Sequence, residues 1–266
     1  MEHLPDSSTH PYDKGYSAVN GINMYYERYG AGKALVLIHG GGSTIQTTFG
    51  TIIPMLVKHR DVIAIELQAH GRTSDRNQDS SFEQDADDVA GLLKNLKIHK
   101  ADIFGFSNGG TTAVQIAIRY PGLVGKLVLA STLCKRDGVS PGFWDFMNEA
   151  SLENMPQQLQ DAFLAVMPDA KKLKRMHDRD AKRMVNFKNI PDEAIRAIKL
   201  PALIIQGDKD VIKPEHALEM FRNMEFAELA IIPGLHGEYI GELTTLDSGS
   251  NQAQLVVPLI LHFLDK

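Results

Sequence analysis

The chain is 266 residues long, 43% hydrophobic and 23% charged, with a formal net charge of −5. This is a soluble, globular composition with length enough for a sizeable core, and its balance of charge gives no reason to expect nucleic acid as a partner. The single cysteine, Cys134, excludes an internal disulfide and any cysteine-based metal cluster. The longest apolar run, 255–264, is too short to span a bilayer and contains Pro258 and His262, so no membrane partner is expected.

Residues 1–15 are polar, include Pro5 and Pro11, and lack the apolar stretch of a signal peptide. They are expected to form an N-terminal arm of a cytoplasmic protein, with export of a processed chain as the alternative. From Tyr16 the pattern turns to β, and Asn20-Gly21 marks a two-residue hairpin turn. Continuous apolar runs at 34–38, 62–67, 101–104, 126–130, 202–206 and 229–232 read as strands buried on both faces. Helical patterns separate most of them: 45–57, with Pro54 as an interruption, and 82–96, with Ser81 as N-cap. Strands alternating with helices predict an α/β fold with a mostly parallel sheet covered on both faces. Between Ser131 and Leu200 no strand pattern occurs. Three helices are expected there, at 143–152, 156–166 and 169–187, with a fourth at 191–198 leading back to the sheet. The domain plan is an arm at 1–15, a core at 16–133 and 199–266, and a helical insertion at 134–198.

The run Gly105-Phe106-Ser107-Asn108-Gly109-Gly110 joins a strand to a helix through a tight turn with a serine at its apex. So sharp a turn needs small neighbours, which the glycines supply, and it holds the hydroxyl out of the fold beside the amides of a helix start. A serine hydroxyl needs an adjacent base, and the base needs an acid to orient it. On this reading the base comes late in the chain, after the acid. His216 falls in a helix start and His262 in the C-terminal helix, whereas His236 follows the last strand in a Gly-flanked loop, so His236 is the candidate base. The acid is Asp210, at the end of the 202–206 strand, with Asp208 second and expected to stabilise its own turn. Oxyanion donors are the backbone N–H of Asn108 and, from the loop His39-Gly40-Gly41-Gly42, that of Gly41, with Gly42 possible. His39 is expected to brace its loop. Gly42, Phe106, Phe143, Met147 and Leu235 are the candidate pocket residues.

Five segments then resemble, in order and spacing, the motifs of the α/β-hydrolase superfamily: His39–Gly42, Gln68-Ala69-His70-Gly71-Arg72-Thr73-Ser74-Asp75, Gly105–Gly110, Gly207-Asp208-Lys209-Asp210 and Pro233-Gly234-Leu235-His236. The resemblance runs from about Tyr16 to Lys266, with the helical insertion in the place of that family's cap. It implies an eight-stranded sheet, a Ser107–Asp210–His236 triad and catalysis without a metal or other cofactor. Serine at 107 sets the chain apart from the dehalogenase and epoxide hydrolase branches, which use aspartate there. Asn108 stands where many relatives have methionine and implies a more polar pocket floor.

The expected activity is hydrolysis of carboxylic esters of small or medium apolar acids through an acyl-enzyme. The alternatives are hydrolysis of a carbon–carbon bond in a β-diketone or ring-cleavage product, cofactor-free perhydrolysis or acyl transfer, and a ligand receptor built on a hydrolase fold. The basic residues of 169–187 are expected on a solvated face, and the polar segment 238–251 as an extra surface loop near His236. The partner is a small-molecule ester; oligomeric state is not legible.

Overall fold

Eight strands order the chain: β1 (Asp13–Val19), β2 (Ile22–Gly30), β3 (Ala34–Ile38), β4 (Asp61–Ile65), β5 (Ala101–Phe106), β6 (Val124–Ala130), β7 (Ala202–Gly207) and β8 (Ala227–Ile232). They form one sheet in the order β1-β2-β4-β3-β5-β6-β7-β8, antiparallel at β1/β2 and β2/β4 and parallel thereafter. The structure is a computed structural model that describes residues 10–266, so 1–9 of the expected arm lie outside the described residues. The arm is also shorter than expected, because β1 begins at Asp13 and pairs with Arg28 of β2. Asn20 and Gly21 turn this hairpin with φ of 42° and 86°, the left-handed pair that matches the twist of the strands.

Period-two alternation explains why the central strands read as unbroken apolar runs. Val36, Ile38, Ile63, Ile65, Ile103, Leu127, Leu129 and Ile204 point to one side, and Leu35, Leu37, Val62, Ala64, Phe104, Val128, Leu203 and Ile205 to the other. The first set packs under α3 (Phe82–Asn95), α4 (Asn108–Arg119) and α9 (Pro214–Asn223); the second under α1 (Ile45–Phe49), α2 (Ile53–Leu56) and α10 (Ala253–Asp265). Full burial of one such side chain stabilises by about 1.5–3 kcal/mol, so these two layers carry most of the fold. The expected helix at 45–57 is two short ones. Pro54 lacks the N–H a helix interior needs but suits the first turn of α2, where it sits. Ser81 caps α3 as expected, accepting from the Gln84 N–H. β8 departs from the expectation of burial on both faces: it is an edge strand, and Ile231 is exposed.

Between β6 and β7 the chain forms α5 (Phe143–Asn148), α6 (Gln157–Val166), α7 (Ala170–Val185) and α8 (Asp192–Arg196). α5 stops at Asn148, short of the expected 152, and Ser151 and Asn154 cap a separate turn that follows. Asp169 opens α7 by accepting from the N–H groups of Lys171 and Lys172. Among the described residues no helix is long and apolar enough to cross a membrane.

Candidate active site

Parallel pairing fixes the site before any side chain is considered. Ile38 lies opposite Gly105, Phe106 opposite Ala130, Ala130 opposite Ile205, and Gly207 opposite Ile232. The loops bearing Gly41, Ser107, Ser131, Asp210 and His236 therefore leave the same carboxyl edge side by side. Connections from the central strands diverge here, since β3 is followed by β4 on one side and flanked by β5 on the other, and such a crevice is the usual ligand site of an open parallel sheet.

Ser107 sits at φ 54°, ψ −120°, an unusual conformation for a residue with a side chain. It is held there by its N–H to Ala130 O at 2.9 Å and by Gly110 and Thr111 donating back to its carbonyl. The turn closes only because its neighbours are small. A Cβ on Gly105 would lie 2.2 Å from Gly109 O, one on Gly109 2.1 Å from Ile38 O, and one on Gly110 2.0 Å from Thr132 Oγ1.

His236 Nδ1 lies 2.7 Å from Asp210 Oδ1. An ionised carboxylate only accepts, so Nδ1 carries the proton and Nε2 is left as the acceptor. Burial opposes a charge on His236, but the charge and hydrogen bond of Asp210 outweigh it, with Glu242 adding, and the imidazolium is favoured above the ordinary histidine value. Asp210 is likewise penalised by burial yet ends below the usual carboxylate range, because His236, Ser131 and the Ile212 N–H all stabilise its charge. Ser131 was not foreseen. Its hydroxyl donates to Asp210 Oδ2 at 2.6 Å, which spends its only proton, so Tyr239 donates to Ser131 at 2.7 Å. Tyr239 is fully buried and belongs to the segment expected as a surface loop. The inner side of that segment, with Ile240, Glu242 and Thr245, is in fact buried support for the site.

Asp208 has a role other than the one expected. Its carboxylate accepts the Gly234 N–H at 2.8 Å, and Lys209 N donates to Gly234 O, so the pair ties the end of β7 to the His236 loop rather than bracing its own turn. Phe106 does not line the cavity either. Its ring packs against His236, centroids 4.8 Å apart, so it backs the imidazole. Leu235 is 48% exposed and is not among the cavity-lining residues.

One cavity of about 240 Å³ is lined by Gly41, Gly42, Ser107, Asn108 and His236 on the sheet side and by Phe143, Phe146, Met147, Met155, Leu159 and Met184 from the helical interval. Its remaining polar groups include His177 and Asp180; among the described residues no lysine or arginine lines it. Among the described residues neither the Gly41 nor the Asn108 backbone N–H donates to a protein acceptor, whereas that of Gly42 is taken by Asp180 Oδ2 at 2.6 Å. Asp180 also meets His70 Nε2 at 2.8 Å and Arg183, which pairs in turn with Asp85 at 2.6 Å. Arg183 is thus buried, unlike the exposed Lys171, Lys172, Lys174, Arg175 and Lys182 of the same helix. His39 braces its loop as expected, donating to Gly40 O and accepting from Leu67 N, and burial together with the neighbouring His70 pushes its pKa down to about 3.

The α/β hydrolase fold family matches residues 33–172. The serine hydrolase BPHL of Homo sapiens is 27% identical over 245 residues, covering 86% of this chain and 83% of that protein. A 2-hydroxymuconate semialdehyde hydrolase from Pseudomonas sp. (strain CF600) is 29% identical over 216 residues, 73% of this chain and 76% of its own. Among solved structures, the 2-hydroxy-6-oxo-6-phenylhexa-2,4-dienoate hydrolase of Rhodococcus sp. strain RHA1 superposes with a TM-score of 0.77 at 19% identity, covering 96% of this chain and 99% of its own. With the eight-stranded sheet, the strand-to-helix serine turn and the order of the site loops, the family match makes this chain a member of the α/β-hydrolase family.

Proposed function

We propose that the chain is a serine hydrolase that cleaves carboxylic esters of small or medium apolar acids through an acyl-enzyme. Ser107 Oγ attacks the ester carbonyl while His236 Nε2 takes its proton, and Asp210 holds the imidazole in the tautomer that leaves Nε2 free. The N–H groups of Gly41 and Asn108 receive the developing oxyanion. His236 then returns the proton to the leaving alcohol, activates a water against the acyl-enzyme, and the acid departs. Helices α5 to α7 act as the cap over this chemistry.

The observation that carries the choice of substrate is the cavity lining. Methionine, phenylalanine and leucine walls suit an apolar acyl chain, and among the described residues no lysine or arginine lines the cavity to hold an anionic one. The two similar hydrolases whose names specify muconate or dienoate substrates favour a second reading, carbon–carbon cleavage. Those names denote carboxylate-bearing substrates, and among the described residues no lysine or arginine lines this cavity to hold one. A neutral β-diketone fits the second reading better than a dienoate. The deciding experiment compares kcat/KM for butyrate, hexanoate, laurate and hemisuccinate esters of one alcohol, a β-diketone and a 2-hydroxy-6-oxo-dienoate, with Ser107→Ala as control. Preference for the butyrate or hexanoate ester supports the proposal. Faster turnover of the diketone or the dienoate overturns it.

A further inference from the structure

Asp180 is an odd neighbour for a site that must stabilise a negative charge. Its Oδ2 accepts the Gly42 N–H at 2.6 Å and would lie 3.2 Å from a Cβ placed on Gly41, so the carboxylate rests against the loop that offers the Gly41 amide. A bare carboxylate there would raise the cost of an oxyanion. This one is not bare. His70 Nδ1 faces Gln68 O at 2.9 Å and its Nε2 faces Asp180 at 2.8 Å; both partners only accept, so both ring nitrogens carry protons and His70 is an imidazolium. Arg183 bonds the other oxygen, Oδ1, and is itself balanced by Asp85. Burial alone would lift the Asp180 pKa, but Arg183 and His70 hold the carboxylate well below its usual range.

We infer that Asp180, reaching down from α7, is a positioning residue that fixes the Gly41–Gly42 loop so that the Gly41 N–H points at the reacting carbonyl oxygen, with His70 and Arg183 cancelling the charge this strut brings. The inference rests on the reading of Ser107 as nucleophile and of Gly41 as oxyanion donor. Of the two loop glycines that line the cavity, Gly42 has its amide committed to Asp180, whereas among the described residues the Gly41 amide has no protein acceptor. Because the strut comes from the helical interval, the oxyanion loop takes its competent shape only while α7 is docked.

The test uses the rate at which a fluorophosphonate labels Ser107, together with kcat and KM for a p-nitrophenyl ester, on the full chain. Asp180→Ala removes the acceptor and is expected to slow labelling and kcat by about 30-fold, with KM little changed, somewhat less than loss of an oxyanion donor itself. Asp180→Asn keeps an acceptor oxygen for the Gly42 N–H and should recover most of that loss. Met176→Ala, on the buried side of α7 but outside the cavity, serves as the control: it should lower Tm while leaving kcat unchanged. Should Asp180→Ala fail to fold, Asp180→Glu displaces the acceptor while retaining the charge and should likewise lower kcat. Equal losses in Asp180→Ala and Met176→Ala would reduce Asp180 to a structural residue and overturn the inference. So would a raised KM at constant kcat, which would make it a substrate contact. If the wild type labels and turns over but Asp180→Ala matches it, the inference alone falls. If the wild type neither labels nor turns over, the reading of the site falls and takes the inference with it.

Discussion

The two walls of the cavity are built on different principles. The floor is carried by strand ends locked into the sheet, so Ser107, Asp210 and His236 each sit within a few residues of a backbone hydrogen-bond ladder. Asp210 alone accepts from three groups, and Ser131 and Tyr239 behind it are fully buried. The roof comes from the helical interval: its cavity-facing Phe143, Phe146, Met147 and Met155 are only partly buried or exposed, and Leu159 and Met184 are buried. Chemistry needs fixed geometry, whereas recognition of varied apolar chains tolerates side chains that can repack. The difference predicts that damage to the floor falls on kcat and damage to the roof falls on substrate preference.

The largest effects should follow removal of the groups proposed to react. Ser107→Ala and His236→Ala are each expected to lower kcat by about 10³-fold or more, leaving the residual catalysis that binding and oxyanion donors supply. Thermal melts should be close to wild type, since neither side chain packs the core layers. A His236→Ala enzyme with kcat within tenfold of wild type would remove the floor's claim to the chemistry.

Asp210→Asn comes next. The amide can accept from the Ser131 hydroxyl or the Ile212 N–H but no longer favours the imidazolium, so kcat should fall by about 10²–10⁴-fold. Asp208→Asn should cost less than tenfold, because an amide oxygen can still accept the Gly234 N–H. The two variants measured side by side sharpen the comparison within the floor. If Asp208→Asn is the more damaging in kcat at an unchanged melt, the acid has been misassigned.

How much of this was legible in the chain depends on the range of the interactions. Continuous apolar runs and the order of the motifs made the sheet, the serine turn and the loops of Asp210 and His236 readable, because each rests on local pattern. Phe106 could have been placed as well: it follows Phe104 by two residues, so it shares that residue's sheet face rather than the cleft. Asp180 and Arg183 were also within reach. Leu173, Met176, Asp180, Arg183, Met184 and Phe187 follow one another at helical spacing and form one buried face, on which two charges demand partners. Their partners His70 and Asp85 lie about a hundred residues away, and no periodicity links them. Ser131 is illegible in the sequence for the same reason. It reaches Asp210 across 79 residues, and only the pairing of β6 with β7 brings the two together.

The pH profile is the next smaller effect and tests the electrostatics of the floor. The base must be neutral to take the serine proton, so kcat/KM should rise with pH through the His236 pKa. Burial pulls that pKa down, but Asp210 outweighs it and Glu242 adds to the rise, so the midpoint should lie above the ordinary histidine value. Glu242→Gln removes one negative charge from the imidazolium's surroundings and should move the midpoint to lower pH, with the plateau kcat little changed. A midpoint that moves the other way would mean that Glu242 acts on the site through its hydrogen bonds to Thr244 rather than through charge.

The smallest expected effects are in the roof, and they are the ones that separate it from the floor. Met147 is only partly buried, against the small cluster around Met184 and Phe187, and Phe146 is 53% exposed, so neither belongs to the main core layers. A methylene in a tight hydrophobic pocket is worth about 1–3 kcal/mol of discrimination, and a half-open wall should deliver the lower end or less. Met147→Ala should therefore change kcat/KM for any one ester by less than about tenfold. The ratio between laurate and butyrate esters should nevertheless rise, because shortening the side chain lengthens the space open to the acyl chain. Phe146→Ala, at the more exposed position, should shift the same ratio by less. The proposed triad and its proposed donors are untouched in both variants, so fluorophosphonate labelling of Ser107 should keep its wild-type rate. If labelling slowed in step with ester turnover, these side chains would be acting on the reacting groups, and the division between a catalytic floor and a recognising roof would fail at Met147.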